Sequence, residues 1–332
     1  MEWLLLLLKL LGGLALFLFG LRIMGEALEA RAGERLRDIL GRLTTGRVRG
    51  LAFGTLLTAT VQSSSAVSVM TVGFVDAGML GLSQAIGIIM GANVGTTVTA
   101  WLLSTSSFEG AALFSLLKPS FWAPILGIAG TVLLLSSKKE KSRLTAKGLL
   151  GFFVLMTGME QMSDAVRPFA DMPEVEQALL VVSHPLVGVL VGALVTAVLQ
   201  SSSASVGILQ ALSSAGRMPI GTAIPIIMGQ NIGTCVTTLI ASVGAGKNAK
   251  RVAISHLYFN LVGTLVFLTL FVIVQGVFSP PALLDAASPV TVAATHTAFN
   301  VFTTILLFPF VGLLEKLARR SVPDRAGIAK KS

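Results

Sequence analysis

The sequence predicts an all-α integral membrane protein with two inverted-topology repeats, each carrying a re-entrant helical hairpin, and an additional C-terminal transmembrane helix. The residues are 53% hydrophobic and 12% charged, with a mean hydropathy of +0.83. Soluble domains contain about a quarter of charged residues, so this composition indicates a lipid environment. The pentapeptide Gln-Ser-Ser-Ser-Ala at Gln62 recurs at Gln200, which indicates duplication. Alternation typical of strands is absent from the sequence, which favours helices over a barrel.

The duplication extends well beyond the pentapeptide. When the chain is shifted by 138 residues, 22 of the 46 positions from Gly54 to Thr99 are identical to their counterparts. The same shift pairs Gly13 with Gly151 and Gly20 with Gly158, so the repeat covers most of each half. The predicted organisation is a first repeat at 1–137, a basic cytoplasmic loop at 138–147, a second repeat at 148–275, and an extra transmembrane helix with a basic tail at 276–332.

Apolar windows of roughly 20 residues, enough for a helix to cross about 30 Å of hydrocarbon, recur along the chain. They are Trp3–Met24, Ser83–Ser104, Ala111–Leu135, Gly148–Val166, Gly221–Val243, Val252–Gln275 and Val290–Leu314. The first window resembles a secretory signal, but its length and the match of Gly20 to Gly158 favour a retained helix. Two further stretches, 51–75 and 185–213, are interrupted centrally by Gln-Ser-Ser-Ser. We expect each to form a pair of half-helices that enters and leaves at one face.

The distribution of charge predicts the orientation. Basic residues concentrate in the inter-helix loop Arg31–Arg49, in 138–147 and after the last helix, whereas the loop Asp164–His184 is acidic. Basic loops stay cytoplasmic, which places the N-terminus outside and the C-terminus inside; such loops can also hold anionic lipids. Each repeat then has three crossing helices and one hairpin, so the second repeat must be inverted. Inverted repeats with broken helices are typical of secondary transporters.

The interrupted segments also predict the chemistry of a binding site. Backbone groups freed where a helix stops inside a membrane must be satisfied by protein, water or ions. Hydroxyl, amide and carbonyl oxygens suit a small alkali cation, and the N-terminus of the following half-helix suits an anion. A second repeated run, Met90–Thr97 and Met228–Cys235, looks like another helix break because glycines flank Asn93 and Asn231. The alternative is that these glycines serve helix packing.

Together these motifs resemble the type II sodium/phosphate cotransporters, whose mark is two inverted Gln-Ser-Ser-Ser hairpins, each followed by a Gly-x-Asn-x-Gly-Thr segment. The resemblance spans roughly Gly13 to Asn260. It implies a multi-pass protein of the plasma or bacterial inner membrane. It also implies symport of sodium and inorganic phosphate by alternating access, with both ions bound between the hairpin tips near the midplane. Sodium is then the coupling ion, and no other cofactor is expected.

The resemblance also assigns site residues. The implied core residues are Gln62, Ser63, Ser64, Ser65, Asn93, Thr96, Gln200, Ser201, Ser202, Ser203, Asn231 and Thr234, with Thr58, Thr196 and Thr97 as secondary candidates. We expect phosphate mainly on the half-helix N-termini and sodium on glutamine side-chain and backbone oxygens. Thr58 and Thr196 lie one helical turn before each glutamine. A hydroxyl that bonds back to a carbonyl of its own helix is as good an explanation for them as a role in the site.

Other functions are less well supported by the sequence. A phosphate-binding Gly-Lys-Ser/Thr loop, a metal-binding histidine pair and a Gly-x-Ser-x-Gly elbow are all missing from it, so an enzyme is not expected. Phosphate export, transport of another oxyanion or a passive anion channel remain alternatives. The net charge of +9 lies in topogenic loops, so nucleic acid is not an expected partner, whereas lipid is. A homodimer is compatible with the sequence.

A histidine motif lies in the second repeat and recurs after it. His256 and Asn260 are echoed by His296 and Asn300 forty residues later, while Lys118 occupies the position that the repeat pairs with His256. We infer that the first repeat has lost this element. An intramembrane histidine indicates function by default, but interhelical hydrogen bonding is favoured here. Lys118 would need a counter-charge or a route to water, and Glu109 is the nearest acidic residue in the sequence.

Overall fold

The structure is a computed structural model, and it describes residues 2–43, 46–105, 119–166, 168, 179–216 and 218–324. In chain order the helices are α1 (Glu2–Leu43), α2 (Arg47–Val61), α3 (Ser64–Asp76), α4 (Leu82–Ser104), α5 (Pro119–Ser136), α6 (Glu140–Val166), α7 (Pro185–Leu199), α8 (Ser202–Ser213), α9 (Ile220–Ala241), α10 (Lys247–Phe278), α11 (Pro289–Leu307) and α12 (Val311–Ser321). Single 3-10 turns at Pro281–Leu283 and Phe308–Phe310 flank α11. The described residues contain no strand, and only an isolated bridge joins Pro219 to Ala286.

The fold is that of an all-helical membrane protein. Among the described residues, five helical segments are long and apolar enough to cross a bilayer: Leu4–Leu28, Leu82–Ser104, Ile220–Ala241, Lys247–Phe278 and Pro289–Ser321. They include five of the seven predicted windows. The window Ala111–Leu135 is described only from Pro119, as α5, and Gly148–Val166 is the C-terminal part of α6, whose first turns carry many charges.

The prediction of a loop at Arg31–Arg49 is wrong for most of these residues. Helix α1 continues to Leu43, and α2 begins at Arg47. The physical reason is that this segment is rich in Ala, Glu, Leu and Arg, which are strong helix formers in water as well as in lipid. A charge pattern predicts which side of the membrane a segment occupies, but it does not predict that the segment is irregular.

The predicted helix breaks at Met90–Thr97 and Met228–Cys235 are also wrong, because α4 and α9 run through them without interruption. Their glycines form a packing seam instead. A Cβ on Gly91 would overlap the Leu51 carbonyl of α2, and a Cβ on Gly229 would overlap the Val189 carbonyl of α7. These glycines therefore bring α4 and α9 into backbone contact with the first half of each hairpin.

Helices α1 and α6 form the most extensive helix pair among the described residues, and it too is a glycine seam. A Cβ on Gly20 would overlap the backbone of Gly151 and Leu155, and one on Gly158 would overlap the backbone of Gly13 and Phe17. Under the 138-residue shift, Gly13 corresponds to Gly151 and Gly20 to Gly158. The contact that Gly20 of α1 makes with α6 is therefore equivalent to the contact that Gly158 of α6 makes with α1.

The histidine motif recurs on α11, whereas Lys118, the first-repeat position that corresponds to His256, lies outside the described residues. Helix α11 packs along α4, as α10 packs along α9. Helices α10 and α11 meet where Gly263 of α10 packs against Thr303 of α11. Trp101 Nε1 of α4 donates to Thr297 Oγ1 of α11 at 2.9 Å. A shift of 138 residues cannot detect this element, since α11 lies outside the first repeat in the sequence.

Candidate functional site

Both interrupted segments form two helices that meet at a tight bend. Helix α2 ends at Val61 and α7 at Leu199, and the next residue in each case, Gln62 or Gln200, has a left-handed backbone with φ of 60° or 54°. Residues other than glycine rarely enter this region. The two bends therefore have the same backbone geometry, and Gln62 occupies it with its side chain buried.

The first serine after each glutamine caps the following helix. Ser63 Oγ accepts from the Ala66 N–H at 3.1 Å, and Ser201 Oγ accepts from the Ala204 N–H at 3.2 Å. A cap of this kind satisfies one of the N–H groups that a helix start leaves free. The first N–H groups of α3 and α8 have no acceptor within their own helices. They are consequently able to bind a ligand.

The two hairpin tips touch each other at equivalent residues. Ser64 Oγ and Ser202 Oγ lie 3.2 Å apart and are 138 residues apart in the chain. Ser65 Oγ donates to the Gln200 carbonyl at 3.0 Å, and Thr237 Oγ1 of α9 lies 3.4 Å from the same oxygen. The N-termini of α3 and α8 therefore face one another, with α9 beside them.

Several buried polar atoms beside the first tip have no hydrogen-bond partner within the described part of the chain. They are Thr58 Oγ1, Gln62 Oε1, Asn93 Nδ2 and Thr99 Oγ1. Thr58 contacts Gly95, which joins the last turn of α2 to α4. A buried polar group without a partner costs about 1–3 kcal/mol, so such groups are normally satisfied by water or by a bound ion.

The second tip satisfies more of its own polar groups. Thr196 Oγ1 donates to Ser205 Oγ at 2.8 Å, whereas the residue equivalent to Ser205 in the first half is Val67. Gln230 Nε2 donates to the Ser205 carbonyl at 3.0 Å. The sequence analysis did not single out Ser205 and Gln230, because the repeat pairs them with apolar residues. It also overlooked Thr99 and Thr237, although these are identical in the two repeats.

The remaining predicted site residues fall into two groups. Thr96, Thr97 and Thr234 bond to carbonyls of their own helices at 2.9, 2.7 and 2.9 Å, and Asn231 Nδ2 bonds to Ile227 O at 2.9 Å. Their polar hydrogens are thus used within the fold. Gln62 Nε2 likewise donates to a carbonyl of the preceding helix, that of Ala59. The second group has no such bond among the described residues: Ser203 is buried at the second tip, and Gln200 has an exposed side chain.

The histidines lie in the helix bundle and not at the tips. His256 Nδ1 lies 2.9 Å from Thr238 Oγ1, and Asn260 Nδ2 donates to Cys235 Sγ at 3.3 Å. These contacts support interhelical hydrogen bonding between α10 and α9. His296 is fully buried, and neither of its ring nitrogens has a partner within the described part of the chain. Lys118 and Glu109 lie outside the described residues.

Comparison with known proteins adds to this geometry. The family described as Na+/Pi-cotransporter matches residues 16–164 and, in a second match, residues 154–278. The chain is 27% identical over 310 residues to "Uncharacterized protein YqeW" of Bacillus subtilis, covering 93% of this chain and 96% of the relative. No solved structure matches it.

Two relatives have names that refer to phosphate. The chain is 26% identical over 319 residues to "Putative inorganic phosphate export protein YjbB" of Escherichia coli K12, covering 96% of this chain and 56% of the relative. It therefore spans little more than half of that protein. It is also 44% identical over 96 residues to "Sodium-dependent phosphate transport protein 2A" of Rattus norvegicus, covering 27% of this chain and 15% of the relative.

Proposed function

Because the chain belongs to the Na+/Pi-cotransporter family, we propose that it is a sodium-coupled secondary transporter of inorganic phosphate. The observation that carries this proposal is the contact between Ser64 and Ser202, where the N-termini of two broken helices meet. Phosphate and sodium bind together at these tips and cross the membrane by alternating access.

Phosphate suits the space between the N-termini of α3 and α8. Each helix start carries a partial positive charge and N–H groups that point away from the helix. Two such starts facing each other attract an anion more strongly than one. The hydroxyls of Ser64, Ser65 and Ser202 bond across the two tips here, and they turn to donate to phosphate oxygens when phosphate enters. Ser63 and Ser201 hold the backbone in position through their caps.

Sodium suits the oxygens behind each tip. The C-terminal carbonyls of α2 and α7 carry the negative end of the helix dipole, and half-helix C-termini coordinate sodium in other transporters. Near the first tip, the unpartnered oxygens Thr58 Oγ1, Gln62 Oε1 and Thr99 Oγ1 are further candidate ligands. A cation there would also reduce the repulsion between phosphate and the helix C-termini.

The two halves of the chain are proposed to have opposite orientations in the membrane. Equivalent residues make equivalent contacts in α2–α4 and α7–α9, and the α1–α6 pair is equivalent to itself with the helices exchanged. Contacts of this kind are expected when two inverted repeats surround one site. Inverted repeats supply two related gates, which alternating access requires.

Uptake of radiolabelled phosphate into proteoliposomes tests the function. We expect accumulation above equilibrium with an inward sodium gradient and none with an equal potassium gradient. Equilibration with either cation would contradict coupling and support a channel. Excess unlabelled sulfate should not compete, and strong competition would point to another oxyanion.

Export is a second candidate because of the relative named as a phosphate export protein. A symporter runs in the direction set by the combined gradients, so one site is compatible with both directions. Proteoliposomes loaded with phosphate and sodium should release phosphate into a sodium-free medium. Release that is independent of sodium would support an exporter with another driving force.

A further inference from the structure

Helices α3 and α8 are equivalent in the repeat, yet among the residues that the structure describes only α8 is covered along one face. Its residues Ala204 and Ala211 are 0% and 2% exposed because they pack against α1 and α6. The equivalents on α3 are Ala66, which is half-buried, and Gly73, which is exposed and would have no atom within 4 Å of a Cβ. Between them, Val69 is 40% exposed.

The difference lies in the helices that cover this face. Helix α6 packs along α8, but within the described residues no comparable contact joins its equivalent, α1, to α3. Helix α1 also contacts α8, through the ring of the fully buried Phe17. The α1–α6 pair thus lies against α8 of the second hairpin and, through α1, against α2 of the first, but within the described residues it leaves the face of α3 open.

The residues at the covered and open faces are matched in size. On the covered face, Phe17 packs against Gly207 so closely that a Cβ on Gly207 would overlap the ring. The repeat pairs Phe17 with Leu155 and Gly207 with Val69. Phe17 and Gly207 together contain the same number of side-chain carbon atoms as Leu155 and Val69 together. Leu155 and Val69 could therefore fill the equivalent contact on α3 at the same volume, as close packing requires.

We propose that α3 carries a second docking face for the α1–α6 pair, consisting of Ala66, Val69, Met70 and Gly73, and that this pair is the moving gate. In the present state the pair packs on α8; in the opposite access state it packs on α3, with Leu155 against Val69. This inference rests on the proposed transport function. The glycine seam holds α1 and α6 together as they move, since it places their backbones in direct contact.

The proposal also assigns the present state. The open face begins at the first hairpin tip and ends at Asp76, whose carboxylate accepts from the Gly246 N–H at 2.6 Å where α10 begins. With the predicted topology, this end of α3 is cytoplasmic. The structure then has its route to the site open to the cytoplasm and closed along α8 toward the outside.

Paired cysteines test the proposal directly. Leu155→Cys with Val69→Cys reports the proposed state, and Phe17→Cys with Gly207→Cys is the matched pair for the present state. A protease site placed in 138–147 separates the two members of either pair, so a cross-link made by a short, reducible bis-thiosulfonate reagent, which spans positions too far apart for a direct disulfide, is seen as fragments that stay joined. We expect the first pair to cross-link in membranes when sodium and phosphate sustain turnover, and the cross-link to stop uptake until a reductant is added.

Single cysteines supply a second measurement with less risk to folding. Gly73→Cys should react rapidly with a water-soluble thiol reagent from the cytoplasmic side, and Ala211→Cys slowly. Conditions that cross-link Leu155→Cys to Val69→Cys should slow labelling of Gly73→Cys from the cytoplasmic side several-fold. The same conditions should speed labelling of Ala211→Cys from the outside several-fold.

The failures can be told apart. Sodium-driven uptake without any Leu155→Cys to Val69→Cys cross-link, or labelling at Gly73→Cys that never changes, would overturn the moving gate and leave the transport function intact. If the cross-link and the labelling changes are found but uptake does not depend on sodium, the moving gate is supported and sodium coupling is contradicted.

Discussion

Gln62 and Gln200 both have a backbone conformation that few residues other than glycine adopt. Strain of this kind persists where the surrounding structure imposes it, often at functional sites. Here the bends bring Ser64 and Ser202, the first residues of α3 and α8, into contact. At the scale of residues, the proposed site therefore depends on the two bends and on the hydroxyls beside them.

Replacing the touching serines tests the anion site. Ser64→Ala or Ser202→Ala should raise the KM for phosphate about tenfold or more, because a hydrogen bond to a charged group contributes about 1.5–3 kcal/mol. Thr71→Ala is a matched control, since its hydroxyl is buried on α3 but bonds to the Val67 carbonyl of the same helix. An unchanged phosphate KM in both serine variants would exclude these hydroxyls from the site.

Replacing Gln62 separates its side chain from its backbone. Gln62→Ala and Gln62→Gly both remove Oε1, which is buried without a partner among the described residues, but glycine also relieves the left-handed strain. We expect both variants to require several-fold more sodium for half-maximal uptake. Recovery of the normal sodium dependence in Gln62→Gly alone would show that the backbone, and not the amide oxygen, determines it.

Elements in this molecule are joined mainly through glycine. The seams α2–α4, α7–α9 and α1–α6 each bring backbones too close for a Cβ. Between helices in lipid, such close packing supplies much of the attraction, since burying apolar surface gains little there. The seams therefore determine how each hairpin is held on its neighbouring helix.

Adding a methyl group to a seam should destabilise the fold. Gly91→Ala or Gly229→Ala places a Cβ into a carbonyl of the neighbouring helix, at a cost of about 1–3 kcal/mol or more. Gly276→Ala in α10 is the control, because nothing lies within 4 Å of its Cβ and alanine is the better helix former. Thermal unfolding in detergent should show a lower Tm for the seam variants only.

The residues that directly follow α12 are attached to α10 by the buried Arg251. Its guanidinium donates to the Val322 carbonyl at 3.0 Å and lies 2.9 Å from the Asp324 carboxylate. The Arg251 guanidinium beside Asp324 holds the pKa of that carboxyl below its usual value, against an opposing effect of desolvation. Lys247 and Arg319 add to the lowering.

This attachment should depend on pH only under acidic conditions. A carboxyl with a lowered pKa in the folded state contributes its full stability above the unfolded pKa and loses it as the pH falls through the folded pKa. The Tm difference between the wild type and Asp324→Asn should therefore be constant near neutral pH and shrink below about pH 4. A difference that changes between pH 6 and 8 would contradict this assignment.

At the scale of the whole molecule, the two halves share most contacts and differ in the position of the α1–α6 pair. The repeat was visible in the sequence because both hairpins keep the same motif at one fixed shift. The sequence predicted the helix interruptions at Gln62 and Gln200. Polar residues inside a membrane are costly in free energy, so a repeated polar run indicates a functional site.

Other features could not be predicted, for physical reasons. Glycine has the same low helix propensity whether it breaks a helix or packs against one, so the continuity of α4 and α9 depends on tertiary contacts. The position of α11 on α4 also depends on packing between segments that are remote in the sequence. In the proposed mechanism, Val69 is open and Gly207 is covered in one of two conformational states, and the sequence must be compatible with both states.

Phosphate binding to the purified protein, measured by isothermal titration calorimetry in sodium and in potassium, tests the central claim most directly. If both ions share the site between the tips, sodium should tighten phosphate binding at least tenfold, and phosphate should tighten sodium binding by the same factor. Ser64→Ala should weaken phosphate binding in sodium. Equal phosphate affinity in sodium and potassium would contradict a shared site.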